Sequence, residues 1–227
     1  MHTQTIPNLA ITFQGRKTSR QSSEQRRLAI LQAALRVVAR DGVRGVRHRA
    51  VAKEADVPLS ATTYYFKDIH DLLADAFTLF AQENMETLVD PFWTQANAWL
   101  QNYTPEEVRA RPELLREIID HLAEVGAEFV HSRITEHRER IIIEYAFWYA
   151  ALQDARLHAM AMQHGRRLTA NVKSVLEYAG ATDAELGAKA VISTLRRMEY
   201  EAMMTPAPDK SIFKQALVHQ VKAVLHI

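Results

Sequence analysis

Between Leu59 and Lys67 the chain places five hydroxyls in six consecutive positions: Ser60, Thr62, Thr63, Tyr64 and Tyr65. Hydroxyls clustered on one short segment bond phosphate oxygens and base edges. Leu59, at the head of the segment, offers an apolar contact of the kind that reads a thymine methyl. A few residues upstream stands Arg47-His48-Arg49, and Lys67 closes the segment. Cations in these places meet phosphates, which position a protein on a polyanion without reading its sequence.

Constellations for catalysis or metal binding are missing. There are no cysteines, which excludes disulfides, thiolate zinc sites and thiol nucleophiles. Glu128-Phe129-Val130-His131 is the single Glu-x-x-His pair, whereas a di-iron bundle needs two of them and two further carboxylates. No dinucleotide-binding glycine pattern, phosphate-binding loop, His-Glu-x-x-His or Gly-x-Ser-x-Gly occurs. We therefore expect no enzyme activity, no cofactor and no metal.

The elements that must carry these residues read as helices. From Glu24 the apolar positions Leu28, Leu31, Ala34, Leu35 and Val38 fall at helical spacing, and Asp41-Gly42 ends the run. Further helices are expected over Arg47–Ala55, Leu59–Phe66, Ile69 to about Leu88, Pro91–Asn102, Glu113–Ser132, Thr135–Gln153, Ala155–Ala179, Asp183–Met204 and Asp209–His226. Pro58 breaks the second helix, because the residue before a proline avoids the helical region. Asp68 is placed to cap the fourth, and Pro91, Pro105 and Pro112 to start or break helices. With 7 Gly and 7 Pro in 227 residues, the chain lacks the turns an all-β fold requires. The fold class is all-α.

The net charge of +1 conceals a division. Residues 1–67 carry 12 Lys+Arg against 4 Asp+Glu, and residues 68–227 carry 16 against 23. A basic N-terminal third on an acidic remainder is the footprint of a local polyanion-binding module. Two short helices joined by a tight turn behind a longer one, inside that basic third, describe a helix-turn-helix. Residues 1–23, polar and basic, read as a flexible tail or a DNA-tracking arm. No apolar run sits behind a basic start, and Ile141–Leu152 is too short to span a bilayer. We expect a cytoplasmic protein with no membrane partner.

Three segments carry a family resemblance. Ile30-Leu31-Gln32-Ala33-Ala34-Leu35 through Ala39-Arg40-Asp41-Gly42, then Ala50-Val51-Ala52-Lys53-Glu54-Ala55-Asp56-Val57, then Thr62-Thr63-Tyr64-Tyr65-Phe66 with Leu72-Leu73, resemble the first four helices of tetracycline-repressor (TetR) family regulators. The resemblance covers about residues 26–73. It implies a helix-turn-helix DNA-binding domain over 24–68 and a helical bundle for ligand binding and dimerisation over 69–227. It implies a homodimer on a near-palindromic double-stranded operator, with Leu59–Lys67 in the major groove, repressing transcription until an effector binds. Implied DNA contacts are Arg47, His48, Arg49, Leu59, Ser60, Thr62, Thr63, Tyr64, Tyr65 and Lys67. The dimer would form through helices at about 155–179 and 183–204. Where the family has a turn glycine this chain has Asp56, which tolerates a left-handed backbone better than most residues. Its phosphate-touching lysine is replaced by Ile69, leaving Lys67 or His70 for that contact. Thr63 stands where many members have tyrosine.

Aromatics and one acid mark the larger domain. Phe66 reads as core and Tyr65 as either core or interface. The segment 141–149 is apolar except for Glu144, so that helix is expected to be buried on all sides. Glu144 then needs either a polar or cationic ligand or an internal Arg or His. Trp93, Asn97, Leu100, Phe129, Glu144, Tyr145, Trp148 and Met160 are the candidate lining of a cavity for a small apolar or aromatic effector. A helical adaptor that binds protein instead of DNA is the alternative, and it gives no reason for the charge division.

Overall fold

The computed structural model describes residues 21–227, so the predicted tail lies almost wholly outside the described residues. Gln21, Ser22 and Ser23 open the first helix instead of closing a tail. Every regular element among the described residues is helical: α1 Gln21–Asp41, α2 His48–Glu54, α3 Leu59–Tyr65, α4 Ile69–Asn84, α5 Asp90–Leu100, α6 Pro105–Ala110, α7 Pro112–Glu136, α8 Arg138–Ala151, α9 Ala155–Ala179, α10 Ala184–Ala202 and α11 Lys210–Leu225. A 3-10 turn, Val43–Gly45, precedes α2, and a π turn, Met85–Val89, joins α4 to α5.

The chain forms two compact units. The first holds the described residues up to Glu83 together with Tyr145–Met160, and the second holds Asn84–Glu144 and Ala161–Ile227. The expected domain boundary at 68/69 falls inside the first unit. In the first unit Phe77 on α4 packs against Phe147 with centroids 4.8 Å apart, and Phe80 lies 6.4 Å from the same ring. Arg156 pairs with Asp71 at 3.3 Å and His70 with Asp154 at 3.1 Å. Most of α4 and the end of α8 therefore share a core with the helix-turn-helix.

Within that unit α1 buries Ile30, Leu31, Ala34, Leu35, Val37 and Val38, the stripe its spacing demands. It ends at Gly42, whose φ of 72° and ψ of 174° suit glycine and whose N–H donates to Val38 O at 2.9 Å. α2 ends on Asp56. The Asp56 N–H donates to Lys53 O at 3.3 Å and the Val57 N–H to Ala52 O at 3.0 Å, the paired bonds of a Schellman motif. Asp56 sits at φ 51°, in the conformation that its position in the turn requires. That conformation costs a non-glycine residue about 1–2 kcal/mol, more than the about 0.5–1 kcal/mol of extra chain entropy glycine would lose. Asp56→Gly is expected to stabilise by about 0.5–1 kcal/mol. A higher urea midpoint at unchanged slope would show it; an unchanged or lower midpoint would mean that the Asp56 side chain compensates for the strain.

Asp68 caps α4, accepting the Asp71 N–H at 2.9 Å, and that bond holds its carboxyl below the usual range. Pro91 marks a helix start, as expected. It falls at the first positions of α5, where its missing N–H costs little, and the wider π turn before it relieves its ring of the carbonyl one turn back.

In the second unit α6 was not expected, because six residues give no periodicity to read. Its start is a capping box: Thr104 Oγ1 accepts the Glu107 N–H at 3.2 Å, and Glu107 Oε2 accepts the Thr104 N–H at 2.7 Å. The predicted Thr135–Gln153 helix is divided at His137, which leaves the helical region at φ −125°, ψ 28°. α7 and α11 lie together, tied by Lys210 to Glu124 and Glu128 and by Lys214 to Asp120 and Glu124 at 2.7–3.1 Å. Below them Ala123, Val172, Leu176, Ala188, Val191 and Leu217 form a core shared by α7, α9, α10 and α11. The expectation of a fully buried α8 fails, since Ile142 and Tyr149, seven residues apart on one face, are exposed. No helix among the described residues is long and apolar enough to cross a membrane.

Candidate functional site

α3 is seven residues long, so its rotation divides the segment cleanly. Positions 62, 65 and 66 fall on one side and 60, 63, 64 and 67 on the other. Ser60, Thr63, Tyr64 and Lys67 are exposed, as is Leu59. Arg47 and Arg49 at the start of α2 are exposed and His48 is partly so. Arg47, Arg49 and Lys67 enter no ion pair among the described residues, whereas Arg36 and Arg40 are committed to Glu54 at 2.8 and 2.9 Å. The outward face of the helix-turn-helix thus holds three uncommitted cations, two aliphatic hydroxyls, a phenol and a leucine.

Two of the candidate contacts lie on the inner side of α3, and for Tyr65 this is the core alternative. Thr62 is fully buried, and its Oγ1 donates to Leu59 O at 2.8 Å. Tyr65 is 5% exposed, and its phenol shares a 2.9 Å hydrogen bond with Ser23 Oγ. Both lie on the inner side of α3 with Phe66, which is fully buried as expected. His70 cannot supply the phosphate contact either while it pairs with Asp154; Lys67 remains for it.

The second unit encloses a cavity of about 180 Å³. An apolar cavity of about 150 Å³ is enough to take benzene. The walls are largely aliphatic, with Trp93, Phe92 and Phe129 forming an aromatic side on which the tilted rings of Phe92 and Phe129 lie with centroids 4.5 Å apart. Of the expected lining, Trp93, Leu100, Phe129 and Glu144 are present. Asn97 does not line the cavity, and Tyr145, Trp148 and Met160 belong to the first unit. The reason is the same in each case. Aromatic content marks a residue as apolar-facing without saying which core it faces.

The polar end of the cavity is a buried ionic cluster. Glu144 Oε2 accepts from Arg133 Nη2 at 2.9 Å, and Oε1 accepts from Arg196 Nη2 at 3.1 Å. His164 Nε2 stands 3.9 Å from Oε1, and Glu199 Oε1 lies 3.2 Å from Arg133 Nε. The internal partners anticipated for Glu144 are therefore two arginines. Burial alone would raise the Glu144 carboxyl, but the charges of Arg133 and Arg196 outweigh it and hold it down at about 2. Glu199 goes the other way: burial and the neighbouring Glu144 raise it, against the pull of Arg133 and Arg196. Burial lowers His164 and keeps it neutral near pH 7, with Glu144 opposing. Arg133, Arg196, Glu199, His164 and Phe92 were not singled out in the sequence. The signal for the arginines was the requirement of Glu144 for a cation, which names a residue type and no position.

Residues 117–226 match the family described as the tetracyclin repressor-like C-terminal domain. No curated protein matches the chain. A solved member of the TetR family from Streptomyces coelicolor A3 is 25% identical, over 86% of this chain and 98% of its own, with a TM-score of 0.64. The multidrug binding protein EbrR complexed with proflavin is 26% identical over 86% and 99% of the two chains, at a TM-score of 0.54. Its complex with ethidium is 25% identical over 86% and 98%, at 0.59. The C-terminal part of the chain thus matches the tetracyclin repressor-like domain, and the fold of the chain is similar to that of solved TetR-family regulators.

Proposed function

We propose that the protein is a ligand-responsive transcriptional repressor that binds a near-palindromic operator as a homodimer. The observation that carries this reading is the outward face of α2 and α3, where Arg47, Arg49, Ser60, Thr63, Tyr64 and Lys67 are exposed together on a helix-turn-helix. In a dimer two copies of α3 enter successive major grooves about 34–36 Å apart. α9 and α10 are the dimer helices by family resemblance, and both expose apolar side chains that a second copy would cover: Met162, Leu186 and Tyr200. An aromatic effector in the cavity of the second unit would weaken operator binding, and by linkage the operator would weaken effector binding equally. The multidrug binding protein EbrR, which is similar in fold, has been solved complexed with proflavin and with ethidium.

Binding of the purified protein to the DNA flanking its own gene, at several salt concentrations and against random competitor, tests this reading. Tight binding that survives competitor with two chains per site is expected. Binding no better than to random DNA would leave a helical adaptor with a basic surface. Within a working complex, Thr63→Ala is expected to lower operator affinity more than random-DNA affinity, because its exposed hydroxyl faces the base edges. Equal losses would move Thr63 to the phosphates. Arg47→Ala is expected to weaken both alike and to reduce the slope of log K against log salt by about one.

A further inference from the structure

The four charged side chains that line the polar end of the cavity come from three helices: Arg133 on α7, Glu144 on α8, and Arg196 and Glu199 on α10. They are not equally committed. Glu144 has an arginine on each oxygen. Glu199 has a single ion-pair contact, Oε1 to Arg133 Nε, although it is 6% exposed and lines the cavity. It is the acceptor the cluster has not saturated, at the boundary with the aromatic side formed by Phe92, Trp93 and Phe129.

We propose that Glu199 is the residue that reads charge in this cavity, and that it accepts an aromatic cation on its carboxylate. This rests on the cavity being the effector site and extends that reading to the class of effector. Charge conservation supports it. Every charged or titratable group around Glu199 is accounted for: Arg133 from α7, Glu144 from α8, Arg196 on its own α10, and His164 from α9 behind Glu144. Burial and the neighbouring Glu144 raise the Glu199 carboxyl, so it takes up a proton more readily than an ordinary glutamate. Where Glu199 holds a proton, a cation that takes its place leaves the buried charge unchanged, and the proton passes to solvent. An anion has no such exchange. To reach either guanidinium it must compete with the Glu144 carboxylate already bound there, and removing one partner from a buried pair is costly. The aromatic side supplies ring contacts and quadrupole attraction for the body of the same ligand.

The test uses the full chain, freed of nucleic acid, and N-methylacridinium, a three-ring cation whose charge does not titrate. Fluorescence titration is expected to show affinity rising by about tenfold per pH unit upward from the ordinary carboxylate range, then levelling once Glu199 is ionised. Calorimetry in two buffers of different ionisation heat is expected to show release approaching one proton per ligand on the acid side. Glu199→Gln, with helicity and melting checked, is expected to weaken binding at pH 8 at least tenfold and to flatten the profile, and Glu199→Asp to restore part of both. Three outcomes would overturn the proposal: tight binding with no pH dependence, a Gln variant that binds as well as the wild type, or tighter binding of 2-naphthoate than of the cation. Failure to bind N-methylacridinium by a protein that still holds its operator would overturn the cation and leave the regulator standing.

Discussion

Arg27→Met is expected to cost about 3–5 kcal/mol, because it takes the guanidinium away from a buried carboxylate. Arg27 is 3% exposed, and its Nη2 lies 2.7 Å from Oδ2 of Asp75, which is fully buried. The pair joins α1 to α4 across 48 residues of sequence. The same guanidinium sits 5.8 Å from the Phe66 ring centroid, so one side chain touches three of the helices or turns that hold α3 in place. The second arginine contact, to the half-exposed Glu24 at 3.1 Å, adds little, as exposed pairs do. Urea denaturation should read the loss directly, and amide exchange should place the loosened protection in α1 and α4. The double variant Arg27→Met with Asp75→Leu is expected to recover most of the loss, since an apolar pair of similar volume needs no desolvation. If the single variant melts like the wild type, the pair does not hold the first unit together. A double variant no better than the single would mean that the pair also specifies the packing.

Glu144→Gln is the second large effect. It removes the carboxylate that bridges the buried Arg133 and the half-buried Arg196, and a loss of about 3–5 kcal/mol is expected. For a chain of 227 residues this lowers the melting temperature by about 10 °C. The wild-type carboxyl, held at about 2 against an ordinary 4.5, also sets an acid limit. A depressed carboxyl contributes stability in full above its unfolded value and loses it as pH falls through the folded one. That contribution, about 3 kcal/mol, should disappear between about pH 4.5 and 2, and Glu144→Gln should abolish it. Glu199 acts with the opposite sign. Its carboxyl is raised, so above pH 4.5 the unfolded chain releases a proton that the folded chain keeps, and stability falls as pH rises toward the folded value. The two together predict a stability maximum on the acid side of neutrality. Glu199→Gln should flatten its alkaline shoulder while leaving the acid limb intact. A wild-type curve without the acid limb would remove Glu144 from the ionised cluster.

Both predictions concern pairs between residues distant in sequence, and such pairs are where sequence reasoning was weakest. It was strong wherever one turn of helix carries the information. The inward stripe of α1, the bounds of α9, the cap at Asp68 and the burial of Phe66 follow from spacing and side-chain type. The left-handed turn at Asp56 was implied by the family resemblance, which has a glycine there, and aspartate is among the few other residues that accept that backbone. Thr62 and Tyr65 were legible in principle, lying at positions i, i+3 and i+4 with Phe66. Thr62 reads as outward and Tyr65 as either, because a hydroxyl is equally at home facing a phosphate or bonded to a neighbour inside the protein.

The larger unit shows the division most plainly. Glu144 in an apolar run announces a buried charge that must be neutralised, and that inference needs no coordinates. Its neutralising arginines lie 11 and 52 residues away, on helices whose rotation about their own axes is decided by packing against neighbours. Helical periodicity sets which residues share a face. It does not set which face meets which. The chain alone therefore specifies an all-helical fold, a basic helix-turn-helix, and an acid in need of a cation. The grouping of Arg133, Glu144, Arg196 and Glu199 around one cavity, and of Arg27 with Asp75 beneath the reading helix, arises only when the helices close on one another. Those contacts depend on the relative placement of distant segments, which no local spacing encodes.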